Sequence, residues 1–295
     1  MKNNIYPCLW FDPETGSAQA AADFYYTAFK DAKITTDAGI VVSLELFGQK
    51  LLLLNGGPEF RPNPSISLFV ICRSEDEVET LWKNLSPGSE VMMPLDTYDW
   101  SPKYGWLQDK FGVSWQLMLE EPSYTRQKIV PLFFFSGKKH GKAEEAIRFY
   151  LSVFKNTQSH GILKYTDEDQ NDYANGTVKH AQFELDGYTF MAMDSGVEND
   201  HPFTEGVSIM VECKNQEEID AYWAQLTADG GEESMCGWLK DKYGVSWQIL
   251  PDTLINMVTH PDKARAKRVM DAFMQMKKFD IATLEKAFGE NPSRV

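Results

Sequence analysis

No stretch of the chain stays apolar for the length that a bilayer-spanning helix requires. Nor does the start read as a leader: Ile5 to Phe11 already has the pattern of a first strand, so a cytoplasmic location is expected. Cysteine is scarce. The four residues Cys8, Cys72, Cys213 and Cys236 show neither paired metal-ligand spacing nor the two-residue redox spacing. Cys8, Cys72 and Cys213 fall inside apolar strand patterns and read as buried free thiols. Basic residues are also short, 29 Lys and Arg against 43 Asp and Glu, for a formal net charge of −14. Such a surface repels a phosphate backbone and an anionic bilayer, so neither nucleic acid nor membrane is expected as a partner. A glycine-rich nucleotide turn is missing too. Asp12-Pro13-Glu14-Thr15-Gly16 and Ser136-Gly137-Lys138-Lys139-His140-Gly141 do not make that turn, and antiparallel hairpins follow each, which argues against a doubly wound methyltransferase.

What is present is a packed, duplicated chain. A hydrophobic share of 43% with 13% aromatic supplies cores, and 295 residues suggest two domains of roughly 125 to 150 residues. The stretch Gly105 to Met118 returns as Gly237 to Leu250, with ten of fourteen positions identical, the mark of an internal repeat. Each copy reads as a hairpin: a Trp-Leu strand, an Asp-Lys-aromatic-Gly turn, and a second strand, Val-Ser-Trp-Gln-Leu/Ile. Strand alternation puts Ser114 and Gln116 on one face and Val113, Trp115 and Leu117 on the other. One side suits a pocket and the other suits helix packing.

The units around this hairpin also repeat. Ile5 to Phe11 is a strand, and Ser17 caps a helix whose stripe of Ala21, Phe24, Tyr25, Ala28 and Phe29 faces a sheet. Strands over Ile34–Ala38, Ile40–Phe47 and Lys50–Leu54 follow. After a loop holding Pro58, Pro62 and Pro64 come a strand, Ile66–Cys72, a helix opened by a Ser74/Glu77 capping box, and a strand near Glu90–Met93. A loop rich in aromatic residues, Tyr98, Trp100 and Tyr104, then leads to the hairpin. In the second copy Ile129–Phe135, Ala143–Phe154, His180–Leu185, Tyr188–Met193 and Ser208–Cys213 restate the plan, but the region holding Tyr98 and Trp100 is about nine residues shorter. A helix over Asp262–Lys278 and a final one capped by Asp280 form a tail that either packs across both domains or makes a homo-oligomer contact.

The strand, helix, three-strand unit, together with Leu9-Trp10-Phe11-Asp12, Phe24-Tyr25, Phe29 and the Trp238–Gln248 motif, resembles the PhnB-like branch of the glyoxalase, bleomycin-resistance and dioxygenase superfamily. Its fold is called vicinal oxygen chelate, and members of this branch often carry the label demethylubiquinone methyltransferase. The resemblance implies an α+β class. It gives tandem glyoxalase-like domains at 1–124 and 125–255, each of two βαβββ modules in a curled eight-stranded mixed sheet with helices outside, and a helical tail at 256–295. In metal-dependent relatives four strands supply His, Gln or Glu to a cation. The corresponding positions here fall near Tyr6 and Val130, Leu51 and Phe190, Ile66-Ser67 and Val207-Ser208, and Gln116 and Gln248. Only a neutral amide remains, so neither a metal nor another cofactor is expected.

No residue is assigned a catalytic role. The candidates for binding a small molecule are Gln116 and Gln248 with Ser114 and Ser246, the indoles Trp106 and Trp238, Asn55 and Asp194 at the ends of matching strands, and His180. For each a structural use stands beside the functional one: a hydrogen bond between strands for the amides, core packing for the indoles, turn formation for Asn55 and Asp194. Asp109 and Asp241 read as turn residues. Three functions stay open: a metal-free binding module, an isomerase, lyase or dioxygenase using a metal, and a structural tandem whose clefts are filled by its own aromatic side chains.

Overall fold

A computed structural model describes residues 4–120 and 127–289. The first copy contributes β1 (Ile5–Phe11), α1 (Ala18–Ala28), β2 (Ala32–Asp37), β3 (Val41–Leu46) and β4 (Gln49–Asn55) as one module, then β5 (Ile66–Cys72), α2 (Glu75–Leu85), β6 (Glu90–Tyr98), β7 (Ser101–Gln108) and β8 (Ser114–Leu119) as the next. The second copy contributes β9 (Ile129–Phe135), α3 (Ala143–Val153), β10 (Gln158–Lys164), β11 (Val178–Leu185) and β12 (Tyr188–Asp194), then β13 (Val207–Cys213), α4 (Gln216–Leu226), β14 (Glu232–Glu233), β15 (Trp238–Lys240) and β16 (Ser246–Pro251). The tail holds α5 (Leu254–Val258), α6 (Lys263–Phe273) and α7 (Ile281–Gly289).

The strands form two eight-stranded mixed sheets, ordered β14-β15-β16-β13-β1-β4-β3-β2 and β10-β11-β12-β9-β5-β8-β7-β6. The expected fold class is therefore present, but the strands are distributed differently from the expectation that each copy closes its own sheet. The second sheet joins the later module of copy one to the earlier module of copy two through an antiparallel seam, Ser67 facing Leu132 and Phe69 facing Val130. The position between 124 and 125 marks the sequence repeat, not an edge of this sheet. The seam strands explain why the sequence did not reveal this pairing: IYPCLWF, ISLFVIC, IVPLFFF and VSIMVEC are all seven residues long and buried along nearly their whole length. Such runs carry no alternation to set one partner against another.

Two compact units result, one within Tyr6–Val207 and the other from the described parts of Lys2–Ile5 and Ser208–Val295. In the first, Ser17 Oγ accepts from Ala20 N and sets the start of α1, whose Tyr25 and neighbouring alanines are buried. Ser74 does the same for α2 through Glu77 N. The expected aromatic loop after Met93 is instead a continued hairpin, with β6 running to Tyr98 and pairing with β7 across three register shifts. Those bulges, with Pro94 among them, break the period of two that would have marked a strand. In the second unit the single expected helix over 262–278 ends at Phe273. Beyond it, the carbonyls of Met276 and Lys277 accept from Cys236 N and Gly237 N, both at 2.7 Å, which draws the chain out of helical geometry. Asp262 and Asp280 cap α6 and α7 as their side chains suggest. No helix among the described residues is long and apolar enough to cross a membrane.

Candidate functional site

The repeated hairpin is built on its aspartate. Asp109 is buried, with Oδ1 accepting from Phe111 N at 2.8 Å and Val113 N at 3.1 Å, and Oδ2 accepting from Trp115 Nε1 at 2.9 Å and Tyr25 Oη at 2.8 Å. One carboxylate thus closes the turn, fixes the indole on the next strand and anchors α1. Burial pushes its pKa up while these donors pull it down. Asp241 makes the matching bonds to Tyr243 N, Val245 N and Trp247 Nε1. The geometry accounts for the spacing of aspartate, glycine and tryptophan in the motif, and it agrees with the reading of both residues as turn formers.

With the turn locked, alternation fixes what the inner face of the β5–β12 sheet presents. Trp115 goes outward, packing on Tyr25 and Phe29 of the α1 segment. Gln116 goes inward, directly opposite Trp106 on β7 and Phe69 on β5. Around it, Phe69, Ile71, Tyr104, Trp106, Val130, Leu132, Phe134 and Met191 form one apolar cluster, with Met92, Met93, Met118, Met193 and Tyr98 half-buried against it. Methionine adapts to a ligand's shape better than branched side chains do.

The polar groups bonded around Gln116 and Ser114 are neutral. Trp106 Nε1 donates to Ser114 Oγ at 2.7 Å, and that hydroxyl lies 2.9 Å from Ser67 Oγ. Tyr104 Oη donates to Gln116 Oε1 at 2.7 Å. The other end of the Gln116 amide, Nε2, is buried without a partner among the described residues, in a residue only 2% exposed. His180 stands two residues before Gln182, which faces Met191, so it shares the inner face. Burial holds its pKa below the ordinary value, so it is neutral near pH 7. His201 lies over Phe134 with ring centroids 6.1 Å apart and is also lowered by burial. At the rim Tyr98 stacks on Trp100 at 4.9 Å, and both meet Tyr104 edge-on. Lys179 on β11 is held above its usual pKa mainly by Asp169, and Asp99 at the hairpin tip adds to that field. The tip of the long hairpin therefore lies within electrostatic reach of β11, and we call the inner face between them the cup.

The structure brings Gln116, Ser114, Trp106 and His180 to this one face. It gives the other candidates different surroundings. In the second unit Gln248 donates from Nε2 to Ser208 Oγ at 2.9 Å. Trp238 lies opposite Gln248 in the pairing, and the Ser246 hydroxyl is buried without a partner among the described residues. The copies diverge because the counterpart of Tyr104 is Cys236, which removes the phenol that holds the first amide. Asn55 and Asp194 are engaged by the backbone at helix starts. Asn55 Oδ1 accepts from Ala18 N at 2.7 Å, and its Nδ2 donates to Gly39 O. Asp194 accepts from Gly141 N, Ala143 N and Val178 N. Both tie the first turn of a helix to the end of a parallel strand, which explains their matched positions. The residues missed by sequence reasoning are Tyr104, taken for a loop aromatic, and the inward methionines, whose strands could not be phased without the seam.

The donor set does not fit the cation of metal-dependent relatives. On the inner face β9 presents Val130 and Leu132, β12 presents Met191, β5 presents Ser67 and β8 presents Gln116. Phe190, aligned with one ligand position, is on the helix side, stacked on Phe133 at 5.4 Å. Among the described residues no three His, Cys, Asp or Glu side chains come together. An amide and two hydroxyls are a poor set for a divalent ion.

Four βαβββ modules in two eight-stranded mixed sheets make a fold of the glyoxalase type. Glyoxalase I from Zea mays shares the fold at 12% identity, covering 86% of this chain and 94% of its own, with a TM-score of 0.56. The chain belongs to the PhnB-like family whose model is described as 3-demethylubiquinone-9 3-methyltransferase, matched over residues 3–118 and again over 127–250. The PhnB protein from Bacillus cereus is 33% identical over 38% of this chain and 96% of its own, with a TM-score of 0.35. Protein PA1353 from Pseudomonas aeruginosa is 22% identical over 40% and 97%, with a TM-score of 0.34. No curated protein matches the chain. The methyltransferase in the family description is a family name. Each sheet here alternates antiparallel hairpins with isolated parallel pairs, which offers no doubly wound crevice for a nucleotide-like donor.

Proposed function

We propose that the cup of the β5–β12 sheet binds a small, uncharged, partly aromatic molecule bearing a hydrogen-bond acceptor, and that the protein is a metal-free binding module. The observation that carries this reading is the buried Nε2 of Gln116, which has no partner among the described residues. Leaving such a donor unpaired costs about 1–3 kcal/mol, and a ligand carbonyl removes that cost. Aromatic rings and methionines surround it and the imidazole on the same face is neutral, so a neutral ligand is favoured. The free cysteines suit a reducing cytoplasm.

The test is a thermal-shift screen with uncharged aromatic carbonyl compounds such as naphthoquinone, coumarin and acetophenone, run on the wild type and on Gln116→Leu. At a hundredfold excess over Kd a ligand adds about 2.7 kcal/mol, a rise of roughly 5 °C or more. Hits that vanish in Gln116→Leu support the proposal. A screen without hits, hits indifferent to the substitution, or stoichiometric zinc, nickel, iron or manganese in protein purified without chelator would contradict it.

A further inference from the structure

A cavity of about 370 Å³ lies between the end of β1, the proline loop and the Asp109 turn. That volume falls within the roughly 300–1,000 Å³ usual for small-molecule sites. Its apolar walls are Trp10, Phe11 and Phe111, the two phenylalanines meeting edge-on at 6.0 Å. Its charges are of both signs. Lys110 Nζ rests 4.5 Å from the Phe24 ring centroid and 5.1 Å from that of Phe111, with no hydrogen bond or ion pair among the described residues. Arg61 uses one of its five N–H groups, Nη2, in a long 3.3 Å bond to Thr15 Oγ1. Of the three acids, Asp109 is taken up by its own hairpin, and Asp12 is spent within its own turn, accepting from Glu14 N and Thr15 Oγ1. Glu90 is exposed and makes no hydrogen bond or ion pair among the described residues, although its charge reaches His201.

We infer that this cavity is a site for a zwitterion with an apolar body, the chemistry of an aromatic or large aliphatic amino acid. Arg61 and Lys110 take the carboxylate, Glu90 takes the ammonium, and the body lies on the aromatic wall. Charge decides for the zwitterion. The lining sets three acids, Asp12, Glu90 and Asp109, against Arg61 and Lys110, and the chain as a whole is at −14, so a simple anion gains little by entering. A simple cation makes no use of the donors of Arg61 and Lys110. A guanidinium can bind a carboxylate through two parallel hydrogen bonds, which gives the site its direction.

Calorimetry with L-phenylalanine, 3-phenylpropionate and 2-phenylethylamine tests this directly. Phenylalanine is expected to bind roughly tenfold or more tighter than either analogue, each of which lacks one charge. Arg61→Gln with Lys110→Gln should weaken phenylalanine and phenylpropionate but not phenylethylamine, whereas Glu90→Gln should weaken phenylalanine and phenylethylamine but not phenylpropionate. All three replaced side chains are exposed, so folding is not at risk. Gln116→Leu should change none of these values, which separates this site from the cup. No heat with phenylalanine, affinity no better than the analogues, or insensitivity to these variants overturns the inference.

Discussion

Replacing Asp109 by alanine removes an acceptor on which four donors converge. Tyr25 Oη, Trp115 Nε1 and Val113 N are buried, whereas Phe111 N is only half-covered. Three buried donors left unpaired, at about 1–3 kcal/mol each, give a gross loss of about 3–9 kcal/mol. Burying the carboxylate is itself unfavourable, since burial raises its pKa, and its removal offsets part of the loss. The net destabilisation expected is about 3 kcal/mol. It is measured as the shift of the urea midpoint followed by tryptophan fluorescence, with Asp241→Ala as the parallel case. Asp109→Asn should lose less, about 2 kcal/mol, because one carboxamide oxygen still serves the backbone while the amide NH2 opposes the indole N–H. In a double-mutant cycle with Trp115→Phe the two sites should couple by about 1 kcal/mol or more. Additive behaviour, or an alanine variant within about 0.5 kcal/mol of wild type, would refute the argument that this carboxylate organises the hairpin.

Further outcomes are expected elsewhere. Tyr104→Phe should weaken any cup ligand that depends on Gln116, because it frees the amide to turn, and should cost about 1 kcal/mol in stability. At pH 8 the native protein should release about one equivalent of colour from Ellman's reagent and four in denaturant, because Cys8, Cys72 and Cys213 are buried, with Cys72 pushed up to about 12, and only Cys236 is part-exposed. His180 has a lowered pKa, so the unfolded chain binds a proton there that the folded one refuses. Its contribution to stability is complete above the ordinary value of 6.5 and is lost as pH falls below it. His180→Gln should therefore flatten the decline in melting temperature between about pH 6.5 and 5.

Much of this was legible in the residues. Ser17, Ser74, Asp262 and Asp280 announced helix starts, and the Asp-Lys-aromatic-Gly turn announced the hairpin, because these signals act over a few residues. The inward direction of Ser114 and Gln116 followed from one strand's alternation. What was hidden depends on distant partners. Four uniformly apolar strands could not say which edges meet, so the union of modules from different copies escaped, and with it the grouping of Gln116 with Met191 and His180. Asn55 and Asp194 looked like rim groups because a polar residue at a strand end gives no sign that a helix start will claim it.

The central claim is that the Gln116 amide is the polar anchor of a cup for uncharged ligands. Side-chain amide NMR of protein labelled with nitrogen-15 glutamine, assigned with Gln116→Leu, reads that group directly. On addition of a screening hit the Gln116 NH2 pair should shift downfield and gain protection from exchange, while zinc or nickel leaves it in place. A pair that ignores the ligand, or one that moves with stoichiometric metal, would contradict the account.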